Sequence, residues 1–335
     1  MGFLALTMPL KIIDRKSYIL AGCVLLFMIA ALRNVDSGPD TASYVSIYQE
    51  MANVKVWDLN GEAIPKKDPF FYLFAQSLSS IGLGYRAWLS ILGGIFCFAV
   101  YRVIKDESEE PFLSFIALIS LGYFFFSLTG LRQALALSMI LLSYRYLRER
   151  RFLPFSALVL LGSLFHYSAL IFLLAYPLAY VKIGIKQLVA LMFATTFAFY
   201  YGDRVRESIF MLGWTDTITA YANRSEALTI SGFIIQLFVL IYCLFYRKGV
   251  LELDNKNLSL YNLLFIGLVF QAFAVVIAEF FRASMYFSIF SIVLIAKTTS
   301  VPKEKNTKFV VYMGALLALI AYIYWTGAFV DLRIM

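Results

Sequence analysis

The sequence predicts an all-helical, polytopic integral membrane protein, one transmembrane domain over residues 1–335 with about eleven spanning helices. Three observations carry this. Of 335 residues, 61% are hydrophobic and only 15% charged, at a mean hydropathy of +0.78, an apolar excess that a water-soluble core of this size has no room to hide. The apolar residues come in runs of spanning or near-spanning length. The Lys and Arg residues behind the net charge of +8 fall in short clusters between those runs. That placement suits membrane anchoring rather than nucleic-acid binding, for which neither a basic helix nor an aromatic-interleaved basic groove is present.

The elements follow in order. After Lys11, Arg15 and Lys16, residues 17–32 form a retained first span, because no small-x-small cleavage site precedes Arg33. The mixed stretch 33–84 is an extracytoplasmic loop, within which residues 69–83 make an interfacial or re-entrant helix opening at Asp68-Pro69. Spans then fall at 85–104, 111–128 and 131–147. The run 152–181 is too long for one span and holds His166 and Pro177, so it divides near His166. The remaining spans are 187–201, 231–246, 259–278, 282–296 and 309–326, with 202–230 as a second extracytoplasmic loop.

Dividing the run at His166 also makes the charges alternate. Lys11/Arg15/Lys16, Arg102/Lys105, Arg145 to Arg151, Lys182/Lys186, Arg247/Lys248/Lys256 and Lys297 to Lys308 then share one side, which the positive-inside rule makes cytoplasmic. No internal repeat is present, which disfavours the inverted-repeat architecture of many secondary transporters.

This topology leaves Arg33, Asp36, Asp40, Arg132, His166, Asp203, Arg204, Arg224, Glu279 and Arg282 outside or at outer helix ends. An ionisable group at membrane depth costs roughly 2.5–3.5 kcal/mol on insertion scales, so several on one face ask for a reason. Snorkelling to the headgroups serves for Arg33. It serves Arg132 less well: that helix begins after Thr129-Gly130, where unpaired N–H groups and the positive end of the helix dipole already face outward. A cation there calls for an anion. Arg282 also starts an outer helix end, with Glu279 close enough in sequence to pair with it. Two such arginines make an oxyanion or pyrophosphate seat, guanidinium being a bidentate phosphate partner.

His166 is the only histidine, so it cannot build a zinc site alone; in an apolar run it is either a hydrogen-bonded packing residue or, at the outer break before Tyr167 and Ser168, a group that meets substrate. Asp36 and Asp40 flank Ser37-Gly38-Pro39, a turn signal, and serve as cation ligands, a base, or solvated loop residues. With one histidine and no dense carboxylate cluster, neither metal nor cofactor is expected. Nucleotide-binding and zinc-protease motifs are missing, and Cys23, Cys97 and Cys243 are fillers of apolar runs.

Four segments together resemble EpsG-family, Wzy-type polysaccharide polymerases. They are Arg33 to Asp40 followed by Tyr44 and Tyr48, then Gly130-Leu-Arg132-Gln133-Ala-Leu-Ala136, Phe165-His166-Tyr-Ser168-Ala-Leu170, and Arg282 with Tyr286. The chain departs from the family in having Ser37-Gly38-Pro39-Asp40 where G-T-D is more usual, and a short stretch before Lys11. The resemblance implies a GT-C-like glycosyltransferase in the bacterial cytoplasmic membrane, working at its outer face. There it would join oligosaccharide repeats carried on undecaprenyl pyrophosphate, as O-antigen or exopolysaccharide polymerases do, beside a flippase and a chain-length regulator. On that reading His166 or Asp40 is the general base, and Arg132, Arg282 and Arg33 hold the pyrophosphate. Gln133, Tyr44, Tyr286 and Arg224 are further substrate contacts. A lipid-linked glycosyltransferase or glycan ligase is the nearest alternative, since it shares the donor chemistry. A non-enzymatic exporter is the third.

Overall fold

In the computed structural model of the chain, which describes residues 14–34, 40–53, 68–182, 184–211, 226–274, 276–277 and 279–326, the regular elements are all helical. They are α1 (Arg15–Leu32), α2 (Thr41–Ala52), α3 (Pro69–Ser80), α4 (Tyr85–Glu107), α5 (Pro111–Ser120), α6 (Tyr123–Thr129), α7 (Leu131–Arg148) and α8 (Phe152–Phe165). A 3-10 helix (Tyr167–Leu174) leads into α9 (Ala175–Leu178), α10 (Ile185–Met211), α11 (Glu226–Phe245), α12 (Arg247–Leu253), α13 (Leu258–Phe273), α14 (Glu279–Ser288), α15 (Ser291–Ser300) and α16 (Lys305–Thr326).

Among the described residues four helices are long and apolar enough to cross a membrane: α1, α4, α14 with α15 taken together, and α16. Two bent pairs raise the number to six. The expected span 111–128 is one of these, broken by 53° between α5 and α6. Gly122 makes the corner at φ +81, a left-handed conformation that favours glycine. The expected division of 152–181 occurs at His166, which has extended backbone after α8 and before the 3-10 helix. α10 continues to Met211, past the end expected at 201, and residues 212–225 in the second outer loop lie outside the described residues.

The chain forms two compact units, Met1–Leu170 with Pro302–Met335, and Ile171–Val301. In the first, α1 runs antiparallel to α4, and α4 runs parallel to α7. At one end Arg15 donates to the carbonyls of Lys105 and Ser108, Arg148 pairs with Glu107, and Lys308 pairs with Glu110. Residues that the charge pattern assigned to one side therefore meet at one end. The 23 residues of α4 carry the chain away from it by about 34 Å at ~1.5 Å per residue, enough to cross a bilayer core. At the far end lie the end of α1, the starts of α4 and α7, and helices α2 and α3.

The Glu107–Arg148 pair is largely enclosed, with side-chain exposures of 9% and 15%. Arg148→Met would strand a carboxylate there, and the expected loss of stability is about 3–5 kcal/mol. The check is thermal unfolding of the detergent-solubilised protein. Glu107→Leu added to Arg148→Met should recover much of the loss.

The second unit packs α13 against α10, α11, α14 and α15. Asn262 donates to the Leu178 and Val181 carbonyls, tying the end of the broken segment to α13. Gln236 of α11 bonds to both Gln271 of α13 and Ser284 of α14, which satisfies polar groups that would otherwise be stranded among apolar side chains. The three cysteines are buried and free.

Candidate functional site

The far end of the first unit is built on aromatic packing. Thr41, Tyr44, Val45, Tyr48 and Met51 recur at three- and four-residue spacing and bury one face of α2. α3 turns Phe71, Tyr72 and Ala75 into the same cluster, with Trp88 and Leu92 from α4 and Leu131 and Leu135 from α7. Tyr48 stacks on Trp88 with centroids 5.0 Å apart, and Tyr44 meets Phe71 edge-on at 5.6 Å. α3 ends at Ser80 rather than at the expected 83, because Gly82 takes φ +81 and the helix closes with the Gly82 N–H donating to the Ser79 carbonyl and the Leu83 N–H to that of Leu78.

Asp68 stands immediately before α3. Proline at the first helical position disfavours right-handed helical backbone in the residue before it. Asp68 instead adopts φ 56, ψ 48, one of only two non-glycine positive φ values among the described residues. An aspartate here commonly caps its own helix; this one makes no such bond. Its carboxylate points instead to the break after α8. Oδ2 lies 3.0 Å from His166 Nδ1, and Oδ1 accepts the Tyr167 N–H at 3.1 Å. The Asp68 side chain is fully enclosed and that of His166 is 7% exposed.

Arg132 completes the cluster. It lies in the first turn of α7, after Gly130, where a Cβ would fall 2.6 Å from the Phe126 ring. Its Nη1 is 3.5 Å from Asp68 Oδ2, its guanidinium lies 6.0 Å from the Tyr72 ring centroid, and Tyr44 hydrogen-bonds to it. The side chain keeps 28% exposure. The anion that the helix dipole called for beside this cation is thus present within the chain, as Asp68. Burial alone would push the Asp68 carboxyl up. The His166 hydrogen bond, the Tyr167 N–H and the Arg132 guanidinium outweigh that and hold it below the usual carboxylate range.

Of the other expected site residues, Arg33 is buried at the end of α1. Its Nη1 donates to the Ala30 carbonyl, while Nε and Nη2 have no hydrogen-bond partner among the described residues. Asp40 stands before α2, half-buried, without capping it. Gln133 is buried beside Arg132. Arg282, half-buried, and Tyr286, fully buried, lie on α14 in the second unit. Asp36 and Arg224 lie outside the described residues. The structure therefore joins His166 and Arg132, the latter bonded to Tyr44, through a residue that the sequence marked only as a helix start. Two signals were there to find: the Tyr44, Val45, Tyr48, Met51 stripe of α2, and an aspartate at Asp-Pro that has somewhere other than its own helix to point.

An all-helical membrane protein holding a histidine, a carboxylate and an arginine together at one end of its helices has the parts for proton transfer beside an anion. Comparison with known families makes this more specific: the family model described as the EpsG family matches residues 16–331, nearly the whole chain. The chain belongs to the EpsG family, which is associated with polysaccharide polymerases. Searches of the curated proteins and of the solved structures found no match.

Proposed function

We propose that the chain is a polymerase of lipid-linked oligosaccharide repeats, acting at the outer face of the bacterial cytoplasmic membrane with a polyprenyl pyrophosphate-linked donor. The observation that carries this reading is the His166–Asp68–Arg132 cluster, with a nearly enclosed imidazole beside a partly exposed guanidinium. Outside the cytoplasm nucleotide sugars and ATP are scarce, so a transferase there needs a donor already activated on a lipid. Pyrophosphate is such an activating group.

In the reaction, the acceptor sugar's hydroxyl oxygen attacks the anomeric carbon of the donor glycan. The bond from that carbon to the phosphate oxygen breaks, its electron pair leaves with the polyprenyl pyrophosphate, and the hydroxyl proton passes to His166 Nε2. Arg132 faces the charge that grows on the leaving phosphate, and the dipole of α7 adds to it. Arg33, with two guanidinium nitrogens unpartnered among the described residues, is a further donor to the same class of anion. Asp40 is the alternative base, and Gln133, Tyr44 and Arg224 are further substrate contacts on this reading. About eleven spans in a GT-C-like arrangement belong to this reading as well.

Two experiments test it. Deletion should reduce the surface glycan to single repeats; loss of every exported repeat would indicate an exporter, and unchanged chain length would remove the polymerase reading. For orientation, a cysteine placed near Asp58 or Arg224 should react with an impermeant thiol reagent from outside, and one near Arg150 or Lys303 should not. Labelling at Arg150 would reverse the sides.

A further inference from the structure

We propose that Asp68 is the positioning residue of His166, holding the imidazole in the tautomer that carries its proton on Nδ1 and leaves Nε2 with a free lone pair. The choice of sugar hydroxyl as the group that Nε2 deprotonates rests on the polymerase reading; the tautomer does not.

The geometry supplies the reasons. Asp68 departs from ordinary backbone at φ 56 and leaves its own helix uncapped, while both of its carboxylate oxygens are directed to residues 166 and 167, 98 and 99 positions along the chain. A carboxylate only accepts hydrogen bonds, so the neutral imidazole 3.0 Å away must donate from Nδ1. Nε2, at the far side of the ring, has no hydrogen-bond partner among the described residues. The Tyr167 bond fixes the carboxylate from a second direction, at the first N–H of the 3-10 helix. Both partners are nearly closed to water, so the ring has little else to bond with.

When Nε2 takes the proton, the imidazolium forms beside an anion already in place, and Asp68 keeps its charge throughout. The other groups facing this pair are Arg132 from α7, Tyr72 from α3, Tyr44 from α2 through its bond to Arg132, and Tyr167 itself, whose ring lies 5.9 Å from the imidazole. Arg132 opposes a second cation in the cluster. Asp68 is what offsets it.

Because His166 is the only histidine, 15N-histidine labelling gives one pair of ring-nitrogen signals in the full-length protein, provided that the affinity tag contains no histidine. In lipid nanodiscs the neutral wild-type ring should show a protonated Nδ1 and an unprotonated Nε2. Asp68→Asn keeps an oxygen for the Tyr167 N–H but removes the charge. With that oxygen on Tyr167, the amide NH2 faces the ring and donates to Nδ1, so the His166 proton should move to Nε2. Polymerisation should fall on the order of a hundred- to ten-thousandfold. A protonated Nε2 in the neutral wild type would overturn the proposal, and that measurement needs no variant to fold. An unchanged tautomer in Asp68→Asn would overturn it too. If the tautomer is as expected but deletion leaves glycan length unchanged, the polymerase reading falls and the role of Asp68 remains. If deletion leaves single repeats but Nε2 is protonated, the reverse holds.

Discussion

His166→Asn is expected to abolish most polymerisation, by on the order of a hundred- to ten-thousandfold, while the protein still inserts and accumulates. The asparagine amide N–H sits where imidazole Nδ1 does, so the bond to Asp68 Oδ2 and the packing at the end of α8 can persist. No atom replaces Nε2. A histidine that serves only to satisfy a buried carboxylate would tolerate this change, and one that takes a proton from substrate would not. Glycan chain length in cells carrying the variant, at matched protein level, separates the two. Near-normal length would make His166 a packing residue and pass the general-base role to Asp40.

Arg132→Lys is expected to lose about ten- to a hundredfold or more of polymerisation, with normal protein level. A lysine keeps the charge beside Asp68 and near the Tyr72 ring. It offers a point charge in place of a planar fork of five N–H groups. A charged hydrogen bond contributes about 1.5–3 kcal/mol, which corresponds to that loss. Arg132→Ala should be worse, since it also strips Asp68 of its cationic partner. Arg151→Lys, at a 59% exposed side chain on the opposite end of α7 and α8, is the control and should be neutral. A fully active Arg132→Lys protein would reduce Arg132 to an electrostatic partner of Asp68 and remove it from anion binding.

Residues 33–84 show where sequence reading stopped short. Read for span length, the stretch is a polar loop holding one interfacial helix. Read for spacing, Thr41, Tyr44, Val45, Tyr48 and Met51 already describe a buried helical stripe. Their aromatic members then meet Phe71 and Trp88, making a platform from which Tyr44 and Tyr72 reach Arg132. Hydropathy averages polar and apolar residues over a window, so an amphipathic helix outside the spanning runs disappears from it. The bend between α5 and α6 escaped for a related reason, since one glycine in left-handed conformation hardly alters the apolar character of 111–128.

By itself the sequence determined the all-helical character, the solvent for most of the chain, the alternation of basic clusters, the break at His166 and the family. Each of these is a local or summed property, set by composition, by the spacing of charges or by a short motif in order. The tertiary structure alone decided which charge meets which. Asp68 and His166 are 98 positions apart, and Arg132 sits between them in sequence on a third helix. Nothing in an Asp-Pro step distinguishes a carboxylate that caps its own helix from one that reaches across to another. That choice follows from where α3, α7 and α8 pack, because a carboxylate enclosed beside a guanidinium, an imidazole N–H and a backbone N–H is held far better there than at the end of its own helix.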